Sequence, residues 1–420
     1  MYIQTIGEVS FLAPTIGNEM RMLPPYSIIK TRFAKVYASW SSFQMRREMT
    51  NLTKNRSHQL SVSDMRDSTL SFVQSMQLNR EPKCQYIYSP SQTEPVLYAS
   101  VYAVLTRHLY HDLESLSSAE RQRWIDYISS YQADDGLFKD PMLENEIAAI
   151  EDWWGWRHLT LHVIMALTAL GGVVHRPFIF LEPFLDTNYL ISWLESRDWK
   201  NKPDFVSNEV QNIGTLLQYA RDFHDNKRAG QAVVSLLDWL EKTQDPQTGL
   251  WGKPFNTPLL LSRGVQTGYH LWLLFSYDGR PIRYRERIID SALATQNRLG
   301  GFGVVPNSSA CEDIDSIDPL VRLSFMSAYR NDEIKTVLSR ALSWVLANRN
   351  DDGGFVFRRR EPFVYGHQRM SSRRDESAMF PTWFRTLSLA YLAQALPESA
   401  VGKFDWQFIN CPGMQFWTKV

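Results

Sequence analysis

The segment Gln296-Asn-Arg-Leu-Gly-Gly-Phe302 decides the fold, because the chain repeats it with small changes. Its counterparts are Gln132-Ala-Asp-Asp-Gly-Leu-Phe138, Gln244-Asp-Pro-Gln-Thr-Gly-Leu-Trp251 and Asn348-Arg-Asn-Asp-Asp-Gly-Gly-Phe355. In chain order, the starts of the four segments are separated by 112, 52 and 52 positions, and 112 is two steps of 56. A period of about 50 residues with one shared turn chemistry predicts a repeat architecture.

Each repeat segment follows a stretch with the periodicity of an amphipathic helix. Before the first segment, for example, Trp124, Ile125 and Ile128 fall on one helical face. The glycine of the segment permits the backbone conformation that ends a helix and reverses the chain. The Gln or Asn amide can satisfy backbone groups left unpaired at the helix end. We therefore interpret these recurring residues as structural rather than catalytic.

A second, more apolar helix is predicted between successive segments. The clearest of these helices span residues 151–170, 260–275, 314–329 and 377–396, and weaker patterns predict helices at 62–77, 95–112, 184–198 and 206–222. About six amphipathic helices then alternate with six mostly buried ones. An inner ring of buried helices wrapped by an outer ring buries both sets, so the sequence predicts an all-α (α/α)6 barrel, or toroid.

The repeats leave room for one large domain preceded by an arm. Residues 61–420 are expected to form the barrel, since a closed helical barrel needs most of that length. Residues 1–60 lack the repeat and contain Pro14, the pair Pro24-Pro25 and a basic run at 28–47. We expect this arm to pack on the barrel.

Composition excludes several classes of protein. The 45 basic and 45 acidic residues cancel, and a chain without a basic surplus is not expected to bind nucleic acid. The three cysteines form no CxxC pair, which argues against a disulfide framework or a thiolate zinc site. The sequence shows neither a signal peptide nor a transmembrane segment, so we expect a cytoplasmic protein. The sequence leaves open whether the protein forms a homo-oligomer and whether a partner closes the substrate pocket.

The richest polar cluster lies where the fifth inner helix begins. The run Cys311-Glu-Asp-Ile-Asp-Ser-Ile-Asp318 places the carboxyl groups of Glu312, Asp313, Asp315 and Asp318 within two helical turns. All inner helices of such a barrel begin at one rim, so this run faces the common mouth. The helix dipole favours one or two acids at any helix start. Four acids crowd together and raise one another's pKa, which suits general acid catalysis.

The repeats and this acidic run resemble the superfamily of squalene–hopene cyclases, class II terpene cyclases and protein prenyltransferase β-subunits, which carry QW-type repeats. The stretch from Asp313 to Arg322 is similar to the DxDD segment of class II cyclases, with Ser316 in place of the Asp at the fourth position. The resemblance implies that Asp315 is the general acid that protonates an alkene or epoxide, and that Asp313 supports it.

The same resemblance implies an isoprenoid or isoprenyl diphosphate as substrate. Magnesium is expected only if the substrate is a diphosphate. Cyclases of this class usually form their cavity between two helical barrels, whereas this chain has one. The prenyltransferase branch holds zinc with an Asp, a Cys two residues later and a distant His. Here Cys311 precedes Asp313, with His367 far along the chain, so no metal site is predicted.

Aromatic residues are the second constituent of the predicted mouth. Those near inner-helix starts or on inner helices are Trp153, Trp154, Trp156, Tyr269, Trp272 and Trp383, with Arg157 and His158 beside the first three. Aromatic faces stabilise cations, which would suit a carbocation reaction. They also stack on sugar rings, and core packing is the alternative for any one of them.

An arginine-rich loop at residues 357–374 leads into the sixth inner helix. It contains six arginines around Tyr365 and His367, and we expect Arg358, Arg359, Tyr365 and His367, together with Arg322 from the fifth inner helix, to contact substrate. Arginine binds phosphate or carboxylate through two parallel hydrogen bonds. The loop would therefore fit a diphosphate or a uronic acid, and a solvated loop without a ligand is the alternative.

The sequence also permits two alternatives to the cyclase function, each from a different class of protein. Barrels of this type also carry carbohydrate-active enzymes, namely glycosidases, uronate lyases and epimerases. In such an enzyme the carboxylates would come from residues 312–318 and from Glu151 or Asp152, with Tyr365 and His367 as proton carriers. The other possibility is a non-catalytic barrel that binds a lipid or a partner subunit.

Overall fold

Helices dominate the computed structural model, which describes residue 47 and residues 61–143, 154–252, 255–303 and 305–418. From residue 61 onward the described ranges hold twelve α-helices, alternately outer and inner. The outer helices are α1 (Val62–Ser75), α3 (Ser118–Ser129), α5 (Thr187–Glu195), α7 (Lys227–Thr243), α9 (Arg285–Leu293) and α11 (Asn331–Ala347). The inner helices are α2 (Leu97–Leu109), α4 (Trp156–Ala169), α6 (Pro203–Phe223), α8 (Pro258–Tyr277), α10 (Ala310–Met326) and α12 (Met379–Ala395). The predicted all-α (α/α)6 toroid is confirmed.

The inner helices form a closed ring. Each packs on the next one in the chain, and α12 packs on α2 as well as on α10. Helix α12 is buried at every position from Met379 to Ala393. By contrast, α7 buries a single face that includes Val233, Leu236 and Leu240. Full burial of one helix set and one-sided burial of the other is the pattern expected of a ring within a ring.

The side-chain amides of the repeat turns are hydrogen-bonded as the sequence predicts, with one difference in the acceptor. In three turns the Gln amide donates to the carbonyl of the turn glycine rather than to the end of the helix. These bonds are Gln132 to Gly136 (3.0 Å), Gln244 to Gly249 (2.8 Å) and Gln296 to Gly300 (2.9 Å). In the last turn the amide of Asn348 donates to the helix carbonyl of Trp344 at 2.9 Å.

A second hydrogen bond ties three of these turns to the inner helix that follows. The backbone N–H of the turn aromatic donates to a side chain in the first five residues of that helix. The pairs are Phe138 to Thr160 (2.9 Å), Phe302 to Asp313 (2.9 Å) and Phe355 to Thr382 (3.0 Å). This bond fixes where each of these inner helices begins relative to the outer helix before it.

The last repeat turn closes the outer ring against α1. Thr69 donates its hydroxyl to the carbonyl of Gly353 at 3.0 Å. The φ angle of Gly353 is +92°, and a Cβ atom there would lie 2.0 Å from the carbonyl oxygen of Ser68. Only glycine therefore permits this contact between the two ends of the repeat array.

Two further segments complete the described fold. The arginine-rich loop, predicted without regular structure, contains an antiparallel hairpin of β1 (Phe363–Val364) and β2 (Ser371–Ser372). Residues 404–418 cross the end of the toroid where the inner helices finish. There the buried side chain of Gln415 donates to the carbonyl of Leu105 at 3.2 Å and accepts from the Trp383 indole at 2.8 Å.

The predicted N-terminal arm, residues 1–60, lies outside the described residues except for residue 47. None of the helices in the described ranges has the length and apolar character needed to cross a membrane.

Gly353→Ala is expected to lower the free energy of unfolding by about 2–5 kcal/mol, because the strain of a positive φ adds to overpacking against Ser68. The matched control is Gly279→Ala, where φ is +61° and a Cβ would meet nothing within 4 Å. It should lose only the conformational part, about 1–2 kcal/mol. Urea unfolding followed by circular dichroism measures both losses, and equal losses would contradict the closing contact.

Candidate functional site

The four carboxyl groups at the start of α10 have different surroundings. Glu312 forms a capping box with Ser309: it accepts from the Ser309 backbone N–H at 2.7 Å, and its own N–H donates to the Ser309 hydroxyl at 3.2 Å. Arg358 also donates to Glu312 at 2.9 Å. Glu312 therefore stabilises the first turn of the helix through the capping box, and its bond to Arg358 holds the arginine-rich loop.

Asp313 is saturated with donors and joins three elements of the fold. Its carboxylate accepts from the Phe302 N–H (2.9 Å), the Ser308 hydroxyl (2.7 Å), the Trp344 indole (2.8 Å) and the Arg385 guanidinium (2.8 Å). Both ionic side chains are almost fully buried, at 1% exposure for Asp313 and 0% for Arg385. Asp313 thus fills the place that a threonine fills in two other repeats, and it adds a buried ion pair.

Asp318 is paired with Arg322, which lies one helical turn later. The Arg322 guanidinium also donates to the carbonyl of Phe416 at 2.7 Å and lies 4.9 Å from the ring centre of Trp417. Burial raises the pKa of Asp318, and the charge of Arg322 opposes this shift. The pair therefore holds the C-terminal segment across the end of the toroid. A cavity of about 10 Å³ beside it, lined in part by Tyr269 and Trp272, has the size of one water molecule.

Asp315 differs from its three neighbours because no described residue hydrogen-bonds to its carboxyl group. Its Oδ2, like that of Asp318, is buried without a partner. The residue is 1% exposed. Burial raises the pKa of Asp315 well above its usual range, and the carboxyl groups of Glu312, Asp313 and Asp318 raise it further. Both effects favour the protonated form of the Asp315 carboxyl, and no described side chain forms a hydrogen bond with it.

A hydrogen-bonded chain of two phenols and an imidazole lies among the inner helices. The Tyr98 hydroxyl is 2.8 Å from His158 Nδ1, and the Tyr365 hydroxyl is 3.1 Å from His158 Nε2. Burial lowers the pKa of His158 well below its usual value and raises the pKa of Tyr98 and Tyr365. All three groups are therefore neutral, and a neutral imidazole carries one N–H and one acceptor nitrogen. The chain can pass a proton through His158 by a change of tautomer.

Aromatic rings surround this chain. Tyr365 stacks on Phe380 with ring centres 4.1 Å apart, and Tyr102 stacks on Trp383 at 5.2 Å. Within this cluster, His162 Nε2 is buried without a hydrogen-bond partner among the described residues. Burial also lowers the pKa of His162 to about 4, so this imidazole is neutral as well. Unpaired polar atoms within an aromatic cluster are positions where a bound molecule can be held.

The thiol of Cys311 interacts electrostatically with both Asp315 and Tyr365. Burial raises the pKa of Cys311, and the carboxyl of Asp315 raises it further. After burial, the same thiol is the largest cause that raises the pKa of Tyr365. Asp315 and Tyr365 are therefore both within electrostatic range of Cys311.

The arginines of the loop are engaged with the protein. Arg358 bonds Glu312, as described above, and Arg359 donates to the carbonyl of Arg349 at 2.8 Å and to the side chain of Asn350 at 2.6 Å. His367 accepts from the backbone N–H of Arg369 at 3.0 Å and so begins a short 3-10 turn. Of the loop residues expected at the site, Tyr365 bonds His158 of α4, and Arg358 bonds Glu312 of α10.

The remaining candidate residues lie at several places. Trp154 stacks on Tyr98 at 5.5 Å, and Trp156 is half-buried against the core. Arg157 lies over the ring of Phe184 at 5.3 Å and lines a separate cavity at the rim. Trp153, Glu151 and Asp152 lie outside the described residues. In the described part of the chain, no three His, Cys, Asp or Glu side chains are grouped as metal ligands.

Three residues of this cluster were not expected from the sequence, namely Tyr98, Tyr102 and His162. A signal for them was available, because Tyr98 and Tyr102 are four residues apart on α2, and His158 and His162 are four residues apart on α4. Residues at this spacing share a helical face. Two such pairs on otherwise apolar inner helices indicate a polar site inside the ring.

No protein-family model matches the sequence, and no curated protein matches it. Among solved structures, ent-copalyl diphosphate synthase from Streptomyces platensis is similar over 73% of this chain and 51% of its own, with a TM-score of 0.39 and 17% identity. The chain thus spans about half the length of that synthase. A polysaccharide lyase is similar over 71% of this chain and 90% of its own, with a TM-score of 0.43 and 11% identity.

Asp313→Asn is expected to lower the free energy of unfolding by about 3–5 kcal/mol, because it leaves the buried charge of Arg385 without its partner. A surface ion pair gives the control: Asp290→Asn removes one of the two carboxylate partners of Arg330, whose side chain is 34% exposed, and should cost less than about 1 kcal/mol. Both values come from urea unfolding at neutral pH. A loss for Asp313→Asn as small as the control would show that the carboxylate does not join these elements.

Proposed function

We propose that the protein is an enzyme that protonates an alkene of an isoprenoid and so starts its cyclisation or isomerisation. Asp315 is the general acid. The observation that carries this proposal is the contrast among the four carboxyl groups of α10. Three of them are engaged in capping or ion pairs, whereas Asp315 is buried, has a raised pKa and has no hydrogen-bond partner among the described residues.

The energetic cost of Asp315 favours a catalytic role. A buried polar group without a partner destabilises the fold by about 1–3 kcal/mol, so such groups are uncommon unless they serve a function. An acid that must give its proton to a carbon atom needs a proton that no neighbour already holds. The similarity of this segment to the DxDD segment of class II cyclases points to the same residue.

The reaction also requires a proton acceptor. Transfer of the Asp315 proton to an alkene forms a C–H bond and leaves a carbocation, which the stacked rings of Phe380 and Trp383 would stabilise. Loss of a proton from a neighbouring carbon then forms a new alkene. Both ring nitrogens of His158 are hydrogen-bonded to phenols, so that proton passes to the Tyr365 hydroxyl while the neutral His158 takes up the phenol's own proton. The product is then an isomer of the substrate, and return of the proton from the protonated His158 to the Asp315 carboxylate restores the enzyme.

A second candidate function is an acid–base reaction on a uronic acid sugar, as in lyases and epimerases. The Tyr98–His158–Tyr365 chain favours it specifically, because a phenol activated by an imidazole can remove or return a proton at the carbon beside a carboxylate. Asp315 would have no direct part in that reaction.

Two substitutions separate these functions. Purified protein is incubated with a panel of isoprenoids and isoprenyl diphosphates, and separately with uronate-containing oligosaccharides, and the products are identified by mass spectrometry. For the cyclase, Asp315→Asn should lower turnover by about 100-fold or more, because the amide has no transferable proton. Tyr365→Phe should leave the rate of the protonation step unchanged. Its products should shift towards alcohols, which form when water captures the carbocation.

Two measurements serve as controls. The melting temperature checks that the variant folds, and activity on oligosaccharides tests the second candidate function. The melting temperature of Asp315→Asn should be at least that of the wild type, since the amide removes the cost of a buried carboxyl. If an oligosaccharide is the substrate, Tyr365→Phe is inactive and Asp315→Asn retains activity. That pattern, or near-full isoprenoid turnover by Asp315→Asn, excludes the proposed acid.

A further inference from the structure

A second polar cluster, formed by α6 and α8, has no part in the reaction proposed above. Asp204 and Gln211 of α6 are 1% exposed, and Ser207 between them is fully buried. Ser207 and Gln211 follow Asp204 by three and seven residues, so the three side chains share one face of the helix. The Ser207 hydroxyl lies 3.1 Å from Nδ1 of His270, which places this face beside α8.

His270 faces the interior of the ring. Burial is the main cause that lowers the pKa of His158, and the imidazoles of His162 and His270 lower it further. His158 is on α4 and His270 is on α8, and α6 lies between these two helices in the ring. Side chains of two non-adjacent inner helices come within electrostatic range across the interior. The cluster therefore faces the same space as the Tyr98–His158–Tyr365 chain.

Three polar atoms of this cluster are buried without a hydrogen-bond partner among the described residues. They are both carboxyl oxygens of Asp204 and the side-chain nitrogen of Gln211. An unpaired polar atom destabilises a buried helix, and an apolar side chain of similar size would not carry this cost. Two such side chains on one face of an inner helix indicate a position where a polar ligand is held.

The hydrogen bonds of Ser207 determine the role of His270. Ser207 has one hydroxyl proton, which it donates to the backbone carbonyl of Asp204 at 3.0 Å. His270 Nδ1 is therefore the donor to the Ser207 oxygen. Burial lowers the pKa of His270 to about 3, so the imidazole is neutral and its Nε2 is an acceptor. The cluster thus offers acceptors from Asp204 and His270 and an N–H donor from Gln211.

We propose that this cluster, which we call the α6–α8 site, binds a hydroxyl group of a small molecule, either an isoprenoid alcohol or a sugar. A hydroxyl group both donates and accepts, so it can donate to Asp204 or His270 and accept from Gln211. A diphosphate oxygen only accepts, and it would match Gln211 alone. The site thus narrows the substrate to one that carries a hydroxyl group. This link to the reaction rests on the proposed function, whereas hydroxyl binding does not.

Titration of the full chain with farnesol and with its methyl ether, followed by tryptophan fluorescence, tests the site. The ether keeps the isoprenoid chain and the oxygen atom but has no O–H to donate. We expect the wild type to bind farnesol about 10-fold more tightly than the ether, because the ether leaves the buried acceptors unpaired. Asp204→Ala removes one of these acceptors and should remove most of this preference.

Asp332→Ala is the matched control. Asp332 is the second residue of α11, as Asp204 is the second residue of α6, but its side chain is exposed. Both substitutions remove an acidic residue from the same position of a helix, so Asp332→Ala should keep the full preference for farnesol. Circular dichroism checks that each variant folds. If Asp204→Ala does not fold, His270→Phe removes the other acceptor and repeats the comparison.

Methyl glucoside is the third probe, and it distinguishes the source of the hydroxyl group. A preference for farnesol over its ether assigns an isoprenoid alcohol, whereas glucoside binding that Asp204→Ala weakens assigns a sugar. The α6–α8 site does not hold a hydroxyl group if the wild type shows neither property. The same conclusion follows if Asp204→Ala, or His270→Phe in its place, changes neither property.

Asp315→Asn keeps this test separate from the proposed reaction. It should show the same preference among the probes as the wild type, because Asp315 is not part of the α6–α8 site. An active Asp315→Asn with the preference intact would reject the acid and keep the site. An inactive Asp315→Asn in a protein that distinguishes none of the probes would keep the acid and reject the site.

Discussion

The hydrogen bond from a turn aromatic to the inner helix that follows is the interaction on which the other features depend. In three repeats the N–H of Phe138, Phe302 or Phe355 donates to a side chain within the first five residues of the following helix. The bond sets the start of each of these helices against the preceding outer helix. As a result, polar residues near the starts of different inner helices face one mouth. Residues distant in sequence can form one site there.

Helix geometry explains why Asp313 has several hydrogen-bond partners and Asp315 has none among the described residues, although they are two residues apart. Successive residues of an α-helix are rotated by about 100°, so these side chains point about 200° apart. One reaches the repeat turn, the outer helix α11 and Arg385, and the other does not. Asp318, three residues after Asp315, lies on nearly the same face but is neutralised by Arg322. A single acidic run thus supplies a structural carboxylate, an ion-paired one and a buried carboxyl whose pKa is raised.

Much of the fold could be predicted from the sequence, because its signals are local. Glycine turns and helical periodicity predicted helix pairs such as α7–α8, and the ends of α8 lie within two residues of the prediction. The partners in the site could not be predicted, because they are distant in sequence. Asp313 and Arg385 are 72 residues apart, and His158 and Tyr365 are 207 apart. The hairpin that brings Tyr365 to the site has only two residues in each strand, too few for a periodic signal.

The central claim is that Asp315 carries a proton at neutral pH. Infrared difference spectroscopy of the wild type against Asp315→Asn at pH 7 tests it most directly, because a protonated carboxyl and a carboxylate absorb at different frequencies. Our account predicts that the substitution removes one protonated carboxyl band and leaves the carboxylate bands unchanged. Loss of a carboxylate band instead would show that Asp315 is ionised, and it would contradict its role as the acid.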